Sequence, residues 1–354
     1  MIGCRSGLYM VRIACIVNPA GRDGTVRKRW PTIAKQIEEE EMDCEVIWTK
    51  RTGHASEIAY SLRDREDLDL VVAVGGDGTM NEVASGLRGS AITLGIIPMG
   101  SGNDYARAHG IPLRNTREAV SLLKSGVDRR VGAMRIDGAP APALPHYPSP
   151  APTEWDGDAD EDCMVRRWGF LESDGGTTSD VSRRKTLGQG KHIRGQMKYT
   201  YLGIKSIFGW KKQDGWLKVD DVEMGRTDMS GLFTTIMTQT FGGGFRVAPG
   251  MCVTQDSMSI ILATGLSKSQ MLRIMGPLKK GTHVGKWGIT HNPGKRLELR
   301  NIDENDQPNN TPHDPPMWVQ VDGEPCLMTP AIIQYVPDQL TVRGGQTIPN
   351  DGSQ

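Results

Sequence analysis

Three glycines and an aspartate fall within five residues, Gly75-Gly76-Asp77-Gly78-Thr79, directly after the apolar run 71–74 and before Met80-Asn81-Glu82. Glycine lets a backbone approach a phosphate closely, and a helix start offers unpaired N–H groups with a partial positive charge. Asp77 inside such a loop would repel a triphosphate, a conflict that a bridging magnesium ion removes. A glycine pair alone reads as a tight strand-to-helix turn capped by Asp77, but the full string points to phosphate binding. Gly-Lys-Ser/Thr is missing, so this is not a P-loop. Two further loops have the same character: Asn18-Pro19-Ala20-Gly21-Arg22 and Pro98-Met99-Gly100-Ser101-Gly102-Asn103-Asp104. Each alone is an ordinary turn. Three at the carboxyl edge of one sheet make a nucleotide crevice.

The elements that must hold these loops follow from periodicity. Apolar runs at 13–17, 44–49, 70–74 and 92–97 read as strands, the third being continuous enough to be buried on both faces. Between them lie helical stretches: one carrying Trp30, Ile33 and Ile37, one over 55–62, one over 80–87 and one near 117–124. Met80, Val83, Ala84 and Leu87 share one helical stripe. Alternation of this kind predicts an α/β, doubly wound parallel sheet over residues 10–135. Composition then changes. Residues 139–152 are rich in proline and alanine and 154–162 are acidic, so 137–165 reads as an exposed insertion. Asp156, Asp158 and Asp160 suggest a calcium loop, but Glu161 stands where glycine is needed and Arg167 where the closing glutamate is needed. A solvated acidic loop is the better reading. From 232 onward strand runs at 232–241, 258–264, 297–302, 317–321 and 332–336 predict a mainly antiparallel, β-sandwich second domain over 136–345, with a flexible tail at 346–354.

A chain of 354 residues is long for one core, in keeping with two domains. Its 42 basic and 42 acidic residues leave no net charge, which argues against a nucleic-acid partner. The six cysteines contain no C-x-x-C pair, so neither a zinc site nor a disulfide framework is expected. The apolar stretch 8–17 is interrupted by Arg12 and falls short of the roughly 20 residues of a membrane span. The expected location is cytoplasmic, with peripheral association with a membrane.

A wider set of motifs resembles one family. In order they are Asn18-Pro19; Thr49 with Gly53-His54-Ala55; the 75–81 string; Gly100-Ser101-Gly102-Asn103-Asp104-Tyr105-Ala106-Arg107; Gly242-Gly243-Gly244 with Ala248-Pro249; Gly281-Thr282-His283; and Val321-Asp322-Gly323-Glu324. Together they resemble the diacylglycerol kinase catalytic-domain family, which includes sphingosine kinases and bacterial soluble lipid kinases. The resemblance implies an ATP-dependent lipid kinase that passes the γ-phosphate to a lipid hydroxyl. It implies an ATP site at Asn18, Gly21, Thr49, Gly75, Gly76, Asp77, Gly78, Thr79, Met80, Asn81 and Ser101. Glu324 would be the general base and Asp77 the second catalytic group. Read by itself, Asp322-Gly323-Glu324 is a hairpin turn. The family also places Mg2+ in the second domain, which maps to Val253, Asp256 and Met258, although Ser257 stands where glycine is usual. The first loop departs too, lacking the usual serine before its glycine, with Arg22 as a substitute phosphate contact. Expected ligands are ATP, Mg2+ and a lipid alcohol at the membrane surface, and a homodimer stays open. Two rivals remain: an NAD kinase, which shares the glycine loop, and a non-catalytic lipid-binding protein of the same fold.

Two segments stay ambiguous. Asp174-Gly175-Gly176 and Ser179-Asp180-Val181 resemble a glycine loop facing the site, with Asp180 near the metal, or form a plain turn. In 191–212 Met197, Tyr201, Ile204 and Phe208 make one stripe and Lys198, Lys205 and Lys212 another. The preferred reading is a core helix with a basic solvated face, ahead of a membrane-surface helix.

Overall fold

The computed structural model describes residues 10–144, 153, 156–193, 196–229, 231–310 and 317–349. Most of the proline-rich segment and part of the tail lie outside them. The first half alternates as predicted: β1 (Arg12–Val17), α1 (Gly21–Glu39), β2 (Asp43–Trp48), α2 (His54–Leu62), β3 (Leu70–Gly75), α3 (Asp77–Leu87), β4 (Thr93–Pro98), α4 (Asp104–Ala108) and α5 (Thr116–Ser125). Strands β2-β1-β3-β4 pair in parallel in that order. Every residue of β3 and β4 is buried because helices cover both faces. Helices α1 and α5 pack on Ile13, Cys15, Val17 and Val72. Helices α2 and α3 pack on Ala14, Ile16, Val71 and Ala73. The alternation of inward residues along β1 thus serves two cores at once.

The second half contains β5 (Val127–Pro140), β6 (Val165–Gly169), β7 (Glu172–Gly176), α6 (Thr177–Thr186), α7 (Gln196–Gly209), β8 (Asp214–Val219), β9 (Val222–Asp228), β10 (Leu232–Ile236), β11 (Met258–Ala263), α8 (Lys268–Lys280), β12 (Thr290–Gly294), β13 (Arg296–Ile302), β14 (Pro308–Asn309), β15 (Trp318–Val321) and β16 (Glu324–Gly344). Its pairings are antiparallel except where β16 lies parallel to β4 through Thr341–Thr93 and Val342–Leu94. The order β12-β11-β10-β7-β15-β16-β4-β3-β1-β2 is therefore one continuous sheet, and β16 is the strand shared by both halves. Met134, Phe233, Leu297, Leu327 and Ile333 belong to a core of the second half.

Several expectations need correction. The strand at 332–336 is the middle of a 21-residue strand, because β5 pairs with it from Val127 to Pro140. Residues 137–140 therefore belong to β5, with Asp137 and Ala139 buried, and not to an exposed insertion. The acidic stretch is the loop expected, with Asp158, Asp160 and Asp162 exposed, but it is pinned to the fold. Asp160 binds Arg135 and Arg166, and buried Asp156 accepts the Thr153 N–H and hydroxyl. Segment 232–241 leaves the sheet after Ile236, which lets Thr240 reach Asp104. Asp174 and Asp180 lie in β7 and α6, and Asp180 is taken by Arg183 and Arg184, which leaves it no free oxygen for a metal. Helix α8 was missed, although Ser267 and Gln270 form a capping box at its start. Helix α7 buries Leu202, Ser206 and Ile207, and the stripe assigned to the core faces solvent. The helix is apolar on two sides, and periodicity cannot tell which side docks. Among the described residues no helix is long and apolar enough to cross a membrane.

Candidate functional site

The carboxyl ends of β3 and β4 place two glycine loops side by side. A Cβ on Gly100 would stand 2.5 Å from Gly76 Cα, so the two backbones touch where any side chain would hold them apart. The Met99 N–H donates to the Gly75 carbonyl at 2.7 Å, and the Asn103 side chain closes its own loop by accepting from the Gly100 N–H at 2.8 Å. The Asn18 amide donates to Thr79 Oγ1 at 3.0 Å and ties the end of β1 to the first turn of α3. This rim of Asn18, Gly21, Arg22, Gly76 to Thr79, and Gly100 to Gly102 lines one end of a cavity of about 1010 Å³. The start of α3 lines it, and the first N–H groups of a helix have no intrahelical partner, as phosphate binding requires.

Behind the rim stands a group of carboxylates. Half-buried Asp77 accepts the Tyr105 N–H at 3.3 Å. Burial, helped by the neighbouring Asp104 charge, pushes its carboxyl up to about 6. Asp104 is a strut: it accepts from Arg107, from Thr240 Oγ1 at 2.9 Å and from the Gly243 N–H at 2.7 Å, which anchors the Gly242-Gly243-Gly244 loop. Asp322 is wholly committed. Its oxygens accept the N–H groups of Phe170, Leu171 and Glu172, each at 2.9 Å, and the Asn81 amide at 2.6 Å. Burial raises its carboxyl despite these donors. Glu172 lines the cavity with Oε2 buried and without a protein partner, and burial together with Asp322 pushes its carboxyl well above the usual range. Glu324 begins β16 and lines the same space, next to Gly323, whose carbonyl accepts from Lys185 Nζ at 3.1 Å.

The far end of the cavity is apolar. Ile207, Leu232, Phe245, Val247, Leu266, Met271 and Ile274 line it, between α7 and α8 over β10 and β11. Tyr199 stands at the join, its hydroxyl raised to about 12 by burial and then by Glu172.

Of the residues read from the sequence, Asn18, Gly21, Gly76, Asp77, Gly78, Thr79, Ser101 and Glu324 are brought together on this cavity. Gly75 stands one step behind it, where a Cβ would collide with Thr79. Met80 is buried in the core, Thr49 lies behind β1, and Asn81 holds Asp322. Glu172 and Lys185 escaped sequence reading. No neighbouring residue type signalled the first, because its strand reads Glu-Ser-Asp-Gly-Gly and is nonetheless buried throughout.

Among the described residues the donor set beside the rim suits a hard cation. Clustered carboxylates with an orphaned oxygen are relieved by Mg2+, and oxygen is the ligand it prefers. Among the described residues no three acidic, histidine or cysteine side chains converge as a cage, so the ion would also need phosphate oxygens. The second-domain site does not fit. Asp256 is largely exposed and its carboxylate is taken by Lys295 Nζ at 2.8 Å, so an ammonium stands where the ion was expected.

A rim of glycine loops on a doubly wound sheet faces a mainly antiparallel β domain across one cavity, an arrangement that defines a two-domain α/β class of protein. The chain carries two family-model domains: residues 12–136 match "Diacylglycerol kinase catalytic domain", and residues 176–344 match "YegS C-terminal NAD kinase beta sandwich-like domain". It is 25% identical over 308 residues to the diacylglycerol kinase of Bacillus subtilis (strain 168), covering 85% of this chain and 89% of the relative. It is 25% identical over 274 residues to the diacylglycerol kinase of Mycobacterium tuberculosis (strain ATCC 25618 / H37Rv), covering 77% and 76%. The crystal structure of a diacylglycerol kinase from Bacillus anthracis str. Sterne shares the fold, with a TM-score of 0.66, 16% identity and coverage of 97% of this chain and 100% of that one.

Proposed function

We propose that this protein is an ATP-dependent lipid kinase that transfers the γ-phosphate of ATP, with Mg2+, to the hydroxyl of a diacylglycerol-like or sphingoid lipid alcohol. One observation carries the reading: a single cavity joins a glycine-loop rim to an apolar end, with carboxylates between them. A triphosphate and a lipid tail need opposite environments within reach of one another, and this cavity offers both. In this reading the rim holds the phosphates, with Mg2+ supplying charge neutralisation beside Asp77 when bound. Glu324 takes the proton of the acceptor hydroxyl. Lys185 holds the Gly323 carbonyl and so steadies the turn that presents Glu324. The names of the two relatives support the acceptor class.

The test offers γ-labelled ATP and Mg2+ with diacylglycerol vesicles and NAD together. Label in the lipid phase is the expected outcome; label in NADP alone would replace the acceptor class. Glu324→Gln is expected to lower kcat by roughly 10²–10⁴-fold with ATP affinity unchanged. Collapse of ATP binding with turnover preserved would move the base elsewhere.

A further inference from the structure

Helix α7 presents different faces to the cavity and to solvent. Tyr199, Gly203 and Ile207 wall the cavity. Met197, Tyr201, Ile204 and Phe208 run along the opposite side, with Met197 75% and Phe208 63% exposed. Such a contiguous apolar ridge is uncommon on a protein surface without a partner. The sequence around it is one-signed. No acidic residue occurs between Asp180 and Asp214, in a chain whose net charge is zero. Exposed Lys205 lies 5.4 Å from the Tyr201 ring, exposed Lys211 follows the helix, and Lys268 donates to the Phe208 carbonyl at 2.9 Å. An apolar ridge flanked by lysines is complementary to one surface above others, the headgroup boundary of an anionic bilayer. The same helix separates that ridge from the apolar end of the cavity, so a membrane on the ridge lies one helix thickness from the space proposed to receive a lipid.

We propose that α7 is a membrane-docking element, in which Met197, Tyr201, Ile204 and Phe208 enter the headgroup boundary of an anionic bilayer while Lys205, Lys211 and Lys268 meet its lipid phosphates. The lipid-kinase reading supplies the reason for docking, but docking itself needs no catalysis, and the two can fail separately.

The experiment is co-sedimentation of the full chain with vesicles of phosphatidylcholine alone or mixed with phosphatidylglycerol. Wild type is expected on the mixed vesicles only, with binding that weakens as salt is added. Met197→Ser with Phe208→Ser is expected to cut that binding by about tenfold or more, and Lys205→Glu with Lys211→Glu to abolish the anionic preference. All four positions are exposed and off the cavity, and unchanged urea midpoints check that the variants fold. With a short-chain, water-soluble diacylglycerol both double variants keep wild-type turnover, whereas with acceptor in anionic vesicles they lose it. Vesicle binding by the Met197/Phe208 variant equal to wild type would overturn the proposal. So would equal wild-type binding to neutral and anionic vesicles, or self-association that the same variant abolishes, which would assign the ridge to a second copy of the chain. Vesicle binding without phosphorylation of any lipid would leave the docking element standing and remove the kinase reading.

Discussion

Asp77 sits in a place that costs the fold. Its carboxyl is raised from 3.8 to about 6 by burial and by Asp104, so the folded chain holds this proton more tightly than the unfolded one. The contribution of such a group is fully favourable below the unfolded value and is lost as pH rises through about 6. Asp77→Asn is therefore expected to stabilise the ligand-free protein at pH 7–8 by up to about 3 kcal/mol while abolishing phosphoryl transfer. The gain should shrink steadily toward pH 4. Urea melts of both proteins across pH, beside a turnover assay, check it, and a variant less stable at every pH would show that the carboxylate is a structural cap. Asp256 is the opposite case. With its carboxylate on Lys295 at the surface, Asp256→Ala should leave the magnesium titration of activity unchanged and shift stability by less than ~1 kcal/mol. A shifted titration midpoint would restore the second-domain ion.

Between elements, the contact that matters most joins α3 to the β15–β16 turn. The Asn81 amide reaches Asp322, the residue that also gathers the backbone N–H groups of Phe170, Leu171 and Glu172. Removing it leaves a buried carboxylate short of one donor. Asn81→Ala is expected to cost roughly 1.5–3 kcal/mol and to lower kcat through a looser Glu324, with ATP affinity retained. Loss of ATP affinity with unchanged stability would return Asn81 to the nucleotide. This role could not be read from the sequence, because the two residues lie 241 positions apart. What was legible was local: each glycine loop, the strand–helix alternation and the buried stripe of α3 are written in adjacent residues. The long β16 was only partly legible, since polar positions such as Gln334 and Asp338 interrupt its apolar run. Glu172 was invisible for a related reason. Nothing in its neighbours' types shows that strand β7 is buried along its length, and burial alone makes its carboxyl unusual.

At the scale of the molecule, both halves share a single sheet, so they are expected to unfold together. Tryptophan fluorescence and far-UV circular dichroism should give one coincident urea transition; two separated midpoints would show independent domains. The same strand has a consequence for anyone who would cut the chain in two. Residues up to Ser125 carry the three glycine-containing loops of the rim and look self-sufficient, yet the open side of β4 is closed by Thr341 and Val342, more than two hundred positions away. A fragment ending after α5 would expose that flank as a mostly apolar ribbon of unpaired N–H and carbonyl groups, a template for further strands. The first half should therefore gather into aggregates when expressed alone, and supplying 127–349 as a second polypeptide should rescue it into solution.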